Sequence, residues 1–118
     1  MDERTQEKIN KIIEDRKQAH QFYVQQSPVY HAFLEMEKRA FSDGTLAKKY
    51  KELVALGISI VINCESCIEW HTGQAIKAGA SEAEILETIE VGIEMGGGPA
   101  TVSSRFALSA MQFHSRKK

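Results

Sequence analysis

Apolar and polar residues alternate along nearly the whole chain at spacings of three and four, the period of an α-helix. In the N-terminal third, Ile9, Ile12, Ile13, Arg16, Ala19, His20, Tyr23 and Val24 share one helical face, with Glu, Lys, Asp and Gln between them. Ser27-Pro28 punctuates this pattern, since serine is a favoured N-cap and proline suits the first helical position. A second helix follows with Tyr30, Phe33, Leu34, Ala40 and Phe41 facing inward, and Ser42-Asp43-Gly44-Thr45 reads as a loop. The third helix, from about Leu46 to Ile62, is apolar nearly all round, which predicts a central helix buried nearly all round. Its β-branched end, Ile58 to Ile62, also fits a buried strand, but no partner strand is evident elsewhere. A fourth helix starts between Asn63 and Ser66 and ends at Gly79, a natural C′ residue. The fifth opens on the capping box Ser81-Glu82-Ala83-Glu84 and turns Ile85, Leu86, Ile89, Gly92 and Ile93 to the core. Gly96-Gly97-Gly98-Pro99 breaks it, and a sixth carries Val102, Phe106, Ser109, Ala110 and Phe113. Arg116-Lys117-Lys118 then sets positive charge at a helix C-terminus. The expected architecture is an all-α, single-domain bundle of about six helices spanning residues 1–118.

Composition narrows the function more than the fold. Fifteen Lys and Arg stand against 16 Asp and Glu, a net charge of −1, too small a field to recruit nucleic acid or an anionic membrane. No apolar run approaches the ~20 residues that span a bilayer. The opening MDERTQEKIN is polar, unlike a secretory leader, so the expected location is the cytoplasm. Two cysteines are too few for a disulfide scaffold, and in a cytosolic protein they stay reduced unless they have work to do.

That work has a candidate in Cys64-Glu65-Ser66-Cys67, followed by His71. Two thiols three apart at a helix start share a face and close a disulfide with modest rearrangement. A helix N-terminus favours thiolate, while Glu65 and Glu69 oppose a further anion nearby. His71 lies one turn beyond Cys67 on the same side, placed to take its proton directly or through a water. If helices three and four form an antiparallel hairpin turning near Ile62 and Asn63, Glu52 falls opposite His71. A carboxylate in so apolar a helix needs a partner. Glu52, His71 and Cys67 then have the logic of an orienting group, a base and a nucleophile.

Other readings of these residues remain. A non-catalytic module is one, in which Cys64, Cys67 and His71 hold a metal or sense redox state. Structural zinc usually needs four protein ligands, so His20, His31 or His114 would have to complete the set. Covalent haem attachment needs a histidine where Ile68 stands. The Gly96–Pro99 turn lacks the preceding strand of a phosphate loop. Trp70 suits a pocket wall or ordinary packing, and Lys48-Lys49-Tyr50-Lys51 reads as a helix surface.

The stretch Lys51-Glu52-Leu53-Val54-Ala55-Leu56, then Cys64-Glu65-Ser66-Cys67-Ile68-Glu69-Trp70-His71-Thr72, Gly79-Ala80-Ser81 and Gly96-Gly97-Gly98-Pro99-Ala100, resembles the alkylhydroperoxidase D-like branch of the carboxymuconolactone decarboxylase family. The resemblance implies an all-helical thiol peroxidase acting on small alkyl hydroperoxides. It implies Cys67 as peroxidatic thiol, Cys64 as resolving thiol, and His71 with Glu52 as proton relay. It implies no bound cofactor or metal, but an external dithiol or lipoyl-bearing protein as reductant. It also implies a homo-oligomer, a hexamer arranged as a trimer of dimers. Ser66 departs from the pattern, standing where the best-known members carry a second histidine. A hydroxyl passes on a hydrogen bond but does not hold a proton as a base near neutral pH.

Overall fold

Several helices begin where a side chain satisfies one of their first free amides. Asp2 accepts from the Thr5 amide at 2.7 Å and opens α1 (Glu3–Gln26). Ser27 accepts from Tyr30 and opens α2 (Pro28–Ala40), with proline inside the first turn. Ser81 and Glu84 close the reciprocal capping box at the head of α5 (Glu82–Gly96). The others are α3 (Lys48–Val61), α4 (Glu65–Lys77) and α6 (Gly98–Lys117). The computed structural model describes residues 1–117, and not the side chain of Lys117, so the cationic end placed on Lys117 and Lys118 falls outside the described side chains. Among the described residues there is no strand, and the β-branched run Ile58 to Ile62 ends α3 as helix and C-cap.

The core is built by α3 to α6, with Leu56, Ile60, Ile68, Ile85, Ala107 and Ala110 fully buried. Each large aliphatic side chain so placed contributes roughly 1.5–3 kcal/mol of burial. α1 adds Ile9, also fully buried, while Ile12 and Ile13 pack partly against the same cluster.

Three expectations about facing do not hold. α2 has no buried residue, and Phe33 is half exposed, because this helix rests chiefly on α1 and not on the core. Leu86 on α5 also points outward. α3 is buried on one side only: its other face presents Tyr50, Val54, Ile58 and Val61, one stripe at helical spacing, each roughly half exposed. Val91 and Met95 of α5 continue it, and together they wall an open apolar groove of about 580 Å³.

The α3–α4 turn sets the position of the site. The Cys64 amide donates to the Ser59 carbonyl at 3.1 Å and the Asn63 amide to Ile60 at 3.2 Å, the two bonds of a Schellman ending. Asn63, at φ 56°, takes the left-handed position, where asparagine is tolerated. Cys64 therefore closes α3 and caps α4 at once. The same ending recurs after α4, where Gly79 (φ 101°) lets the Ala80 amide reach the Ala75 carbonyl.

A candidate dithiol site between two glutamate–histidine pairs

Cys64 and Cys67 are joined as a disulfide, with Cα atoms 5.2 Å apart. Cys64 is the N-cap of α4, and its Sγ accepts from the Cys67 amide at 3.3 Å. Cys67 lies in the first turn, at the positive end of the helix dipole.

The short α3–α4 turn brings Glu52 alongside His71, as hairpin symmetry requires. Glu52 is 2% exposed; its Oε1 accepts from His71 Nδ1 at 2.7 Å and its Oε2 from Lys48 Nζ at 2.9 Å. Burial pushes the Glu52 carboxyl up, but the hydrogen bonds and charges of His71 and Lys48 outweigh it and hold it below its ordinary value. An ionised carboxylate only accepts, so the proton between them sits on Nδ1. The other ring nitrogen, Nε2, is left to take or give a proton. Phe41, at the end of α2, stacks on the imidazole at 5.2 Å between centroids and limits its rotation. Thus Cys64, Cys67 and His71 come from the first two turns of α4, and Glu52 from the facing turn of α3.

A second pair of the same kind lies on another side of α4. Glu69, also 2% exposed, accepts from His114 Nε2 at 2.6 Å through Oε2 and pairs with Arg16 of α1 through Oε1. Here too burial pushes the carboxyl up, and His114 and Arg16 together bring it below its ordinary value. A Cβ at Gly73 would stand 2.8 Å from the His114 ring, so glycine is what lets α6 deliver this histidine to α4. Arg16 Nη2 also donates to the Ser66 carbonyl at 3.0 Å and lies 3.2 Å from its hydroxyl, and the guanidinium covers the Trp70 ring. Lys8 pairs with Glu65 at 2.9 Å. Glu65 and Glu69 were expected to oppose a thiolate; each is paired with a cation from α1, Lys8 and Arg16.

Sequence reasoning missed Lys48, Phe41, Arg16 and His114. Lys48 had a signal, being four residues before Glu52 on one helix, the spacing of a side-chain pair. The others reach the site only through tertiary packing. Of the histidines considered as further metal ligands, His20 bonds the Tyr30 hydroxyl at 2.8 Å, His114 is held by Glu69, and His31 is exposed. Among the described residues no group of three or more His, Cys, Asp or Glu is arranged to hold a metal ion. Trp70 does line a cavity, of about 240 Å³, with Phe41, Lys48, Glu52 and Gln74. Among the described residues no helix is long and apolar enough to cross a membrane.

These features define a class: small all-helical proteins with a Cys-x-x-Cys pair at a helix N-terminus beside a buried glutamate–histidine pair. The chain belongs to the carboxymuconolactone decarboxylase family, which it matches over residues 27–110. It is 36% identical over 78 residues to an uncharacterized protein of Cupriavidus necator, covering 66% of this chain and 69% of that one. A solved family member from Legionella pneumophila is 32% identical, with a TM-score of 0.85 over 92% of this chain and 97% of its own. Another, from Thermotoga maritima, is 25% identical, with a TM-score of 0.82 over 90% and 91%. For that protein a part in an antioxidative response has been suggested.

Proposed function

We propose that this protein is a thiol-dependent peroxidase, or thiol–disulfide oxidoreductase, that reduces small alkyl hydroperoxides. The observation that carries this reading is the Cys64–Cys67 bond at the start of α4, one turn before a histidine held by a buried carboxylate. His71 Nε2 takes the Cys67 proton. The thiolate attacks the terminal oxygen of the hydroperoxide, an S–O bond forms, the O–O bond breaks, and the alkoxide leaves as alcohol with the proton from His71. Cys64 then attacks the sulfenic sulfur; the S–S bond forms and the oxygen departs as water. An external dithiol, free or carried on a lipoyl-bearing protein, returns both thiols and is itself oxidised to a disulfide. No bound cofactor or metal enters this cycle. The Thermotoga relative's suggested antioxidative role supports the reading.

The working form in this proposal is a cytoplasmic homo-oligomer, a hexamer built as a trimer of dimers. Its support is the α3–α5 groove, whose exposed Val54, Ile58, Val91 and Met95 make a patch that association would cover.

The test is a steady-state assay with an organic hydroperoxide and a panel of dithiol reductants, backed by intact mass with thiol counting. Turnover with loss of both thiols as an internal disulfide, abolished by Cys67→Ser, is the expected result. Stoichiometric zinc with thiols inert until chelation would sink the proposal.

A further inference from the structure

The family match covers residues 27–110, so α1 and His114 lie outside it. α1 nevertheless reaches the two residues between the cysteines, through Lys8 at Glu65 and Arg16 at Ser66, while His114 reaches Glu69 just beyond them. The Ser66 carbonyl and the Cys67 amide belong to one peptide group. Its oxygen accepts from Arg16 Nη2 at 3.0 Å, and its N–H donates to Cys64 Sγ at 3.3 Å. The guanidinium, the peptide and the sulfur thus form one hydrogen-bonded chain, in which a cation on the carbonyl strengthens the N–H as a donor. Glu69, itself held by His114, fixes the guanidinium in this position.

We propose that Arg16 is a positioning residue of the thiol pair: through the Ser66–Cys67 peptide it stabilises negative charge on Cys64 Sγ. This rests on the reading of Cys64 as the resolving thiol. Negative charge on that sulfur is needed twice in the cycle, when Cys64 attacks the sulfenic acid and when reductant splits the disulfide to expel it. The other charged groups around the turn are already paired, Glu65 with Lys8 and Glu52 with Lys48 and His71. Arg16 is paired too, with Glu69, but it is the cation hydrogen-bonded to the carbonyl of this peptide.

The test is the rate of Cys64 alkylation by iodoacetamide at neutral pH in the full chain carrying Cys67→Ser, which keeps the backbone N–H and leaves one thiol to count. Arg16→Ala is expected to slow the reaction about fivefold, the loss of one polarised donor and a nearby charge. Arg16→Lys is expected to stay within about twofold of the arginine form, because all three contacts run through the single atom Nη2 and an ammonium offers three donors. Arg16→Ala leaves Glu69 buried with its main cation gone; if that variant does not fold, Arg16→Ala with Glu69→Gln is read in its place and is also expected to be slow. An Arg16→Ala rate equal to the arginine form would overturn the proposal. So would a double variant that returns to the arginine rate, since Arg16 would then only cancel Glu69, or a lysine variant as slow as alanine. No hydroperoxide is used, so the outcome stands apart from whether the protein turns over peroxide.

Discussion

Glu52→Gln tests the proton relay with little change of shape. The carboxylate is 2% exposed and accepts two charge-assisted hydrogen bonds, from His71 and from Lys48. Bonds of that kind contribute roughly 1.5–3 kcal/mol each, but glutamine keeps one acceptor and relieves the cost of burying a charge. Lys48, at 39% side-chain exposure, can turn to water, so the amide oxygen stays on His71 and the amide NH2 faces outward. The net cost to folding is then about 1–2 kcal/mol, small enough to leave a folded protein. The effect on the reaction is larger. His71 keeps its tautomer but loses the anion that stabilises its ring as it takes the Cys67 proton. A fall of about 10- to 100-fold in the oxidation rate is expected, the lower part of what a positioned base contributes. The assay is a single turnover: reduced protein is mixed with an organic hydroperoxide, quenched at intervals, and its free thiols are counted. Far-ultraviolet circular dichroism checks that the helices persist. Glu52→Asp, which keeps the charge but shortens the reach, should fall between the two. A folded Glu52→Gln protein oxidised within twofold of the wild-type rate would refute the relay, even if the thiols remain reactive.

Three other outcomes follow from the packing and charge. Gly73→Ala sets a methyl 2.8 Å from the His114 ring, so an overpacking cost of about 1–3 kcal/mol outweighs the ~1 kcal/mol gain in helix propensity. Tm should drop by roughly 4 °C in a thermal melt, and a rise would show that His114 is not held there. Glu52 and Glu69 both lie below their ordinary value of 4.5, so their stabilisation is present above that pH and is lost as pH falls through the lower folded-state values. Melting followed from pH 6 to pH 3 should show a steep loss below about 4.5, shallower in Glu69→Gln; equal slopes would remove Glu69 as a source. Ile58→Glu, at a position 57% exposed, should leave a single copy folded but split the proposed assembly, read by sedimentation velocity, and an unchanged sedimentation coefficient would free the α3–α5 groove of that role.

What could be read in the sequence was local, or reflected through a short turn. The caps at Ser27 and Ser81 are chemical signals within three residues of the amides they satisfy, and the Schellman glycine at position 79 is another. Glu52 and His71 were legible although 19 residues apart, because a tight hairpin fixes which residues lie level on its two arms. The partners of Glu69 were not legible, for the complementary reason. Its partners come from α1 and α6, with His114 45 residues away and Arg16 tied to Ser66 across 50, and no turn relates those helices by symmetry. A lone charge near a thiol therefore looks repulsive in sequence, and only its tertiary neighbours decide the sign of its effect. The same gap explains α3. An apolar stripe states that a surface is to leave water, but not whether it does so against the rest of its own chain. Leu56 and Ile60 are fully buried in the core cluster, whereas Val54 and Ile58 are each more than half exposed. Helical periodicity alone assigns the surplus of apolar residues on α3 to the core, and their exposure is what the proposed assembly would account for.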